Sequence, residues 1–162
     1  MGALRPDIGP AVEAALRSVA AHPRLSGKVA LGGMAFGGFL ALRAAASVRA
    51  LAGVVSINGF FDLGGSGMRC RRSIATTCAS RSAARTFANG PTVSPWRAAI
   101  PALILHGGRD KIFSPSEAVK CADICVRGAE LHVFEDGNHV CNNIPWLYRP
   151  LVADWVAERL GA

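Results

Sequence analysis

Seven residues, Gly32-Gly33-Met34-Ala35-Phe36-Gly37-Gly38, separate a short apolar run from an alanine-rich one, and four of the seven are glycine. Glycines at that density let the backbone turn where side chains would collide. Val29-Ala30-Leu31 ahead of them reads as a buried strand, and residues 39–46 behind them read as a helix. The chain is thus committed early to a tight strand-to-helix turn.

The rest of the sequence repeats that alternation. Residues 11–22 carry Val12, Leu16 and Val19 at helical spacing behind Pro10, the pattern of an amphipathic helix that tolerates proline in its first turn. Residues 51–57 form a second apolar strand, closed by Asn58-Gly59 and the pair Phe60-Phe61, and residues 101–107 form a third. Ser114-Pro115-Ser116-Glu117 has the residue types of a helix start, a capping serine followed three positions later by glutamate, which predicts a helix over 115–126. Residues 131–134 make a fourth strand. The final helix places Leu147, Leu151 and Trp155 on one stripe, with Val152, Val156 and Leu160 beside it, and Pro150 should kink or restart it. Strands alternating with helices imply an α/β fold, a parallel sheet with flanking helices. In such a sheet, ligand chemistry belongs at the carboxyl ends of the strands.

With 51% hydrophobic and only 18% charged residues, the 162-residue chain is too apolar to be disordered and reads as a single domain over 1–162. No run approaches the roughly 18 apolar residues of a membrane span, and the start has no signal-peptide pattern; a cytoplasmic protein with no membrane partner is expected. All of the +7 net charge falls between Asp62 and Asp110, where seven arginines meet no acid. Residues 64–95 show no period of 2 or 3.6 and read as an irregular cap or insertion loop. Its arginines, from Arg69 to Arg85, have no aromatic residue among them, so a solvated insertion fits better than a nucleic-acid surface. Cys70, Cys78, Cys121, Cys125 and Cys141 make an odd number and are expected to be reduced. Cys121 and Cys125 have half the spacing of a zinc site, but packing as small apolar side chains is the simpler reading. No motif supports a metal or an organic cofactor.

Three segments fall at strand ends: the glycine run, His106 to Asp110, and Asp136 to His139. Gly33-Met34-Ala35-Phe36-Gly37 has the spacing of a nucleophile elbow, G-x-S-x-G, with small residues two before and two after the attacking position, but alanine stands where serine would be. Neither a dinucleotide-binding fingerprint nor a P-loop fits the glycine spacing. Asp110 follows the third strand and His139 the fourth, in the chain order nucleophile, acid, histidine. The histidine would take the nucleophile's proton, and the aspartate would hold its tautomer. Separately, Asp110 reads as a turn acid and His139 as a surface loop histidine; together, behind an elbow, they read as a triad. His106, ahead of Gly107-Gly108, is expected to pack beneath the acid loop.

Gly-Gly-Met-Ala-Phe-Gly-Gly, Pro-Ala-Leu-Ile-Leu-His-Gly-Gly-Arg-Asp and Glu-Asp-Gly-Asn-His-Val-Cys-Asn-Asn together resemble the α/β-hydrolase superfamily, and the last of them, running into Pro145 and Asp154-Trp155, looks like the group with the fermentation-respiration switch esterase and dihydroxypseudooxynicotine hydrolase. The resemblance implies hydrolysis of an ester, or of a carbon-carbon bond next to a ketone, through an acyl-enzyme. By motif position the nucleophile falls on Ala35, the acid on Asp110, the base on His139 and one oxyanion donor on the Phe36 amide. Gly33 and Gly37 would be the elbow glycines, and Met34, Phe60 and Asn142 candidate substrate contacts. The intact surroundings of Ala35 suggest a serine-to-alanine inactivated form. The resemblance also leads one to expect further strands, a second oxyanion loop and a covering domain ahead of this point. Without them the four strands would be the later half of the usual sheet. The elbow strand would then be an apolar edge, expected to pair with another copy or a partner chain. The rival readings are a pseudo-hydrolase that binds a small molecule or assists cyclisation in secondary metabolism and, last, an arginine-driven nucleic-acid binder.

Overall fold

Residues Val54 and Val55, adjacent in one strand, point to opposite faces of a sheet, and both are buried because helices cover both sides. The computed structural model describes residues 8–25, 27–61 and 97–161. In chain order its elements are α1 (Gly9–Ala20), β1 (Val29–Met34), α2 (Phe36–Ser47), β2 (Leu51–Ile57), β3 (Ala102–Gly107), α3 (Pro115–Asp123), β4 (Ala129–Phe134), a 3-10 turn (His139–Cys141) and α4 (Pro145–Leu160). The expected cap over 64–95, with Cys70, Cys78 and Arg69 to Arg85, lies outside the described residues.

The four strands are all parallel and lie in the order β1-β2-β3-β4. On one face Val54, Ala102 and Ile104 pack with Leu42 and Ala45 of α2, with Val48 just after it and with Ala118 and Cys121 of α3, while Val12 and Leu16 of α1 close the layer from outside. Val55, Ile57, Leu103 and Leu105 point the other way, onto Tyr148 and Trp155 of α4. A register shift between Val29 and Ala30 puts Leu51 on the same face as Val54, three residues on, where strict alternation would have opposed them. Each fully buried aliphatic side chain in these layers contributes about 1.5–3 kcal/mol.

Several sequence expectations are adjusted. Pro150 does not restart the last helix, which runs from Pro145 to Leu160 with the proline inside it. The bond its missing N–H cannot make is to the carbonyl of Trp146, an exposed residue, so water can take that place. Tyr148, rather than the exposed Leu147, starts the buried stripe of α4. Helix α3 stops at Asp123, three residues short of expectation, because the chain turns back to bridge Ala98 to Cys125. Ser114 does cap it, accepting from the Ser116 N–H at 3.3 Å, but Glu117 does not complete a capping box. Its buried carboxylate instead accepts from the Phe61 N–H at 3.0 Å and pairs with Lys120 at 2.6 Å. Cys121 and Cys125 are free thiols packed in the core, and burial pushes the Cys125 thiol up to about 11.

Candidate active site

At the carboxyl end of β1 the backbone turns through Ala35 at φ 50°, ψ −119°, and α2 begins at the next residue, Phe36. A side chain with a Cβ costs about 1–2 kcal/mol on the left-handed side of φ, so the surroundings must hold it there. The Ala35 N–H donates to the Ile57 carbonyl at 2.9 Å, and its own carbonyl accepts from the Phe39 N–H at 3.2 Å. Gly33 is required sterically, since a Cβ there would meet the Gly37 carbonyl. At Gly37 a Cβ would meet no described atom within 4 Å beyond the neighbouring backbone of its own helix. The close approach falls on Gly38, where a Cβ would sit 2.7 Å from the Ser56 hydroxyl. A small residue is thus also needed where α2 presses on β2.

Asp110 sits beyond β3, and its side chain is fully buried. Its Oδ1 accepts from the Ile112 N–H at 2.7 Å and the Phe113 N–H at 3.2 Å. Oδ2 lies 2.9 Å from Nδ1 of His139 and accepts from Nδ2 of Asn58 at 2.7 Å. Burial alone would raise this carboxyl, but the hydrogen bonds from His139, Ile112, Asn58 and Phe113 outweigh it and hold the group below the ordinary carboxylate range. A carboxylate only accepts, so Nδ1 carries the proton and the neutral ring keeps its lone pair on Nε2.

Asp110 and His139 meet because their loops interlock. The Gly108 N–H donates to the Phe134 carbonyl at 2.7 Å and the Arg109 N–H to the Gly137 carbonyl at 2.8 Å. Gly107 and Gly137 touch so closely that a Cβ on Gly107 would meet the Asn138 carbonyl. Asn143 then ties the histidine loop to itself, accepting from the Asn138 N–H at 2.8 Å and donating to the Asp136 carbonyl at 2.7 Å. The elbow joins them through an aromatic cluster. Ala35 and Phe36 pack against Phe39, Phe60 and Phe113, and the Phe113 ring lies 5.7 Å from the His139 imidazole.

The candidate substrate contacts separate. Met34 is 41% exposed at the end of β1, and Asn142 is exposed beside the histidine turn. Phe60 has a fully buried ring, stacked on Phe39 at 4.7 Å in the cluster that also holds Ala35 and Phe36. His106 packs as expected, fully buried and 3.2 Å from the Phe113 carbonyl, with its pKa lowered by that burial. Sequence reasoning missed Asn58, whose only signal was an Asn-Gly pair closing a strand. Among the described residues no group of three His, Cys, Asp or Glu side chains is placed to hold a metal, and no helix is long and apolar enough to cross a membrane.

Comparisons with known proteins agree with the fold. The chain matches 2,6-dihydroxy-pseudo-oxynicotine hydrolase at TM-score 0.84 and 24% identity over 98% of its own length and 48% of that chain, so it spans about half of that protein. It is also similar to AbyA5, at TM-score 0.74 and 22% identity over 99% of this chain and 51% of that one. The Pyrococcus furiosus esterase Pf2001 superposes at TM-score 0.69 and 17% identity, covering 93% of this chain and 61% of the esterase. Curated proteins give no match. The dienelactone hydrolase family model matches residues 3–143. A strained elbow ending the first strand of an open parallel sheet, with that match across most of the chain, places the protein in the dienelactone hydrolase family, within the α/β-hydrolase superfamily.

Proposed function

We propose that this chain carries the triad half of a hydrolase that cleaves an ester, or a carbon-carbon bond beside a ketone, and that Ala35 occupies the nucleophile position. The observation that carries the reading is the 2.9 Å contact between His139 Nδ1 and the buried Asp110, at the same end of the sheet as an alanine held at positive φ. A serine at 35 would attack the substrate carbonyl through its Oγ and pass its proton to Nε2 of His139. Asp110 would offset the charge of the imidazolium. The Phe36 amide, at the first position of α2, would stabilise the oxyanion, aided by the helix dipole. His139 would then protonate the leaving group, and water would release the acyl product. The esterase among the structural relatives favours the ester substrate; the carbon-carbon alternative rests on the sequence resemblance.

An alanine methyl cannot form the acyl intermediate. Losing a triad nucleophile costs about a millionfold in turnover and leaves roughly a thousandfold over water from the remaining site. The chain reads as a serine-to-alanine form, and Ala35→Ser should restore burst-phase hydrolysis of an activated ester such as p-nitrophenyl acetate. A folded Ala35→Ser protein without turnover would overturn the hydrolase reading. It would favour instead the second one, a small-molecule-binding or cyclase-like pseudo-hydrolase, for which Ala35 itself is the argument.

A further inference from the structure

Asn58 directly follows β2 at φ 48°, fully buried, with its N–H donating to the Leu105 carbonyl at 2.7 Å. Its side chain joins three segments. Oδ1 accepts from the Gly107 N–H at 3.3 Å, at the end of β3, and from the Cys141 thiol at 3.6 Å, in the histidine turn. Nδ2 donates to Oδ2 of Asp110 at 2.7 Å, the same oxygen that His139 contacts. The amide cannot be reversed, because its oxygen would then face a carboxylate and its NH2 group the Gly107 N–H.

We infer that Asn58 is a positioning residue for the Asp110–His139 pair, a neutral donor that fixes the carboxylate oxygen facing the imidazole. The inference rests on the hydrolase reading for its catalytic meaning, though not for its geometry. Backbone amides hold Oδ1 of Asp110, whereas Oδ2 is held by Asn58 and His139. When His139 takes up a proton in turnover, the carboxylate must stay ionised and in place. A donor without a titrating proton serves both needs. The plainer explanation is that asparagine tolerates a left-handed turn at the end of β2. Glycine would meet that need as well, which makes the two explanations separable.

The test compares the protein as it stands with Asn58→Gly, which keeps the turn and removes the donor, and Asn58→Asp, which keeps the shape and replaces the donor with a second acid. The first readout is the titration of the Asp110 carboxyl carbon by NMR, which needs no turnover. Its midpoint should move up in Asn58→Gly, and further in Asn58→Asp, where two carboxyls in contact share a proton. The second readout adds Ala35→Ser: kcat on the activated ester should fall about tenfold to a hundredfold with Asn58→Gly, while KM changes little. If Asn58→Gly leaves both the Asp110 titration and kcat unchanged, Asn58 serves only the turn and the inference is overturned. If the glycine variant does not fold, the aspartate variant decides by the same titration. A shifted titration together with an inactive Ala35→Ser protein supports the positioning role and counts against the hydrolase reading alone.

Discussion

Ala35 is the residue on which local strain and chemistry meet. Its φ of 50° is a conformation an alanine does not choose, and the inference from such an outlier runs toward function. The placing of Ala35, Asp110 and His139 just beyond three strands was legible in the sequence, because the apolar pattern marks where those strands stop. Asn58 was not, since its hydrogen bonds reach residues 49, 52 and 83 positions away. The burial of Phe60 was not legible either: an aromatic after a strand can line a site or fill the core beneath it, and only packing decides. The Asp110 carboxyl makes a prediction at this scale. Held below its ordinary value, it binds a proton more weakly in the folded than in the unfolded chain. Its stabilisation is therefore complete above the ordinary carboxylate pKa, about 3.9, and is lost as the pH falls through the lower folded value. Asp110→Asn should cost about 1–3 kcal/mol in urea unfolding at pH 7, a gap that narrows below about pH 4. A gap that stayed constant to pH 2 would contradict the hydrogen-bonded carboxylate.

The elements tell a similar story about glycine. The run between β1 and α2 announced a tight turn, yet which glycines the turn needs depended on which surfaces touch. Gly33 faces the Gly37 carbonyl and Gly38 faces Ser56, whereas Gly37 faces open space among the described residues. Gly37→Ala should accordingly stabilise by about 0.5–1 kcal/mol through helix propensity alone. Gly33→Ala should destabilise by about 1–3 kcal/mol or more, because backbone has to move to admit its Cβ. Chemical denaturation of the two variants measures both, and equal effects would show that the elbow is looser than described. Helix α4 shows the same division. Its helical period was readable, but Tyr148 and Trp155 face inward while Leu147 is 51% exposed. The choice turns on Trp155, whose ring fits against β2 where Gly53 leaves room, since a Cβ there would approach it to 2.7 Å.

For the molecule as a whole, the parallel sheet separates two chemistries. Its carboxyl end gathers the elbow, Asp110 and His139. Its amino end carries a cleft of about 560 Å³ where Lys28, Arg49, Arg127 and Arg159 outnumber Glu158. Basic charge is thus also concentrated outside the arginine-rich segment, a clustering that the zero net charge of the remaining sequence concealed. Helices α2 and α4 point their C-termini toward this cleft, and cations there offset the negative ends of the helix dipoles. Among the described residues β1 has a neighbour on one side only. We propose that its free edge pairs with another copy or a partner chain, because an apolar edge with unpaired backbone groups recruits strands. Light scattering should find an assembly larger than one chain, and a monodisperse monomer would refute the pairing. The sequence by itself determined the alternation of strands and helices, the parallel sheet and the three strand ends where chemistry belongs, because periodicity and glycine spacing are local properties that side-chain burial imposes. Tertiary structure alone decided the Asp110–His139 contact, the buried fate of Phe60 and the part of Asn58. Each depends on which distant surfaces meet, and close packing settles that only when the whole sheet is assembled.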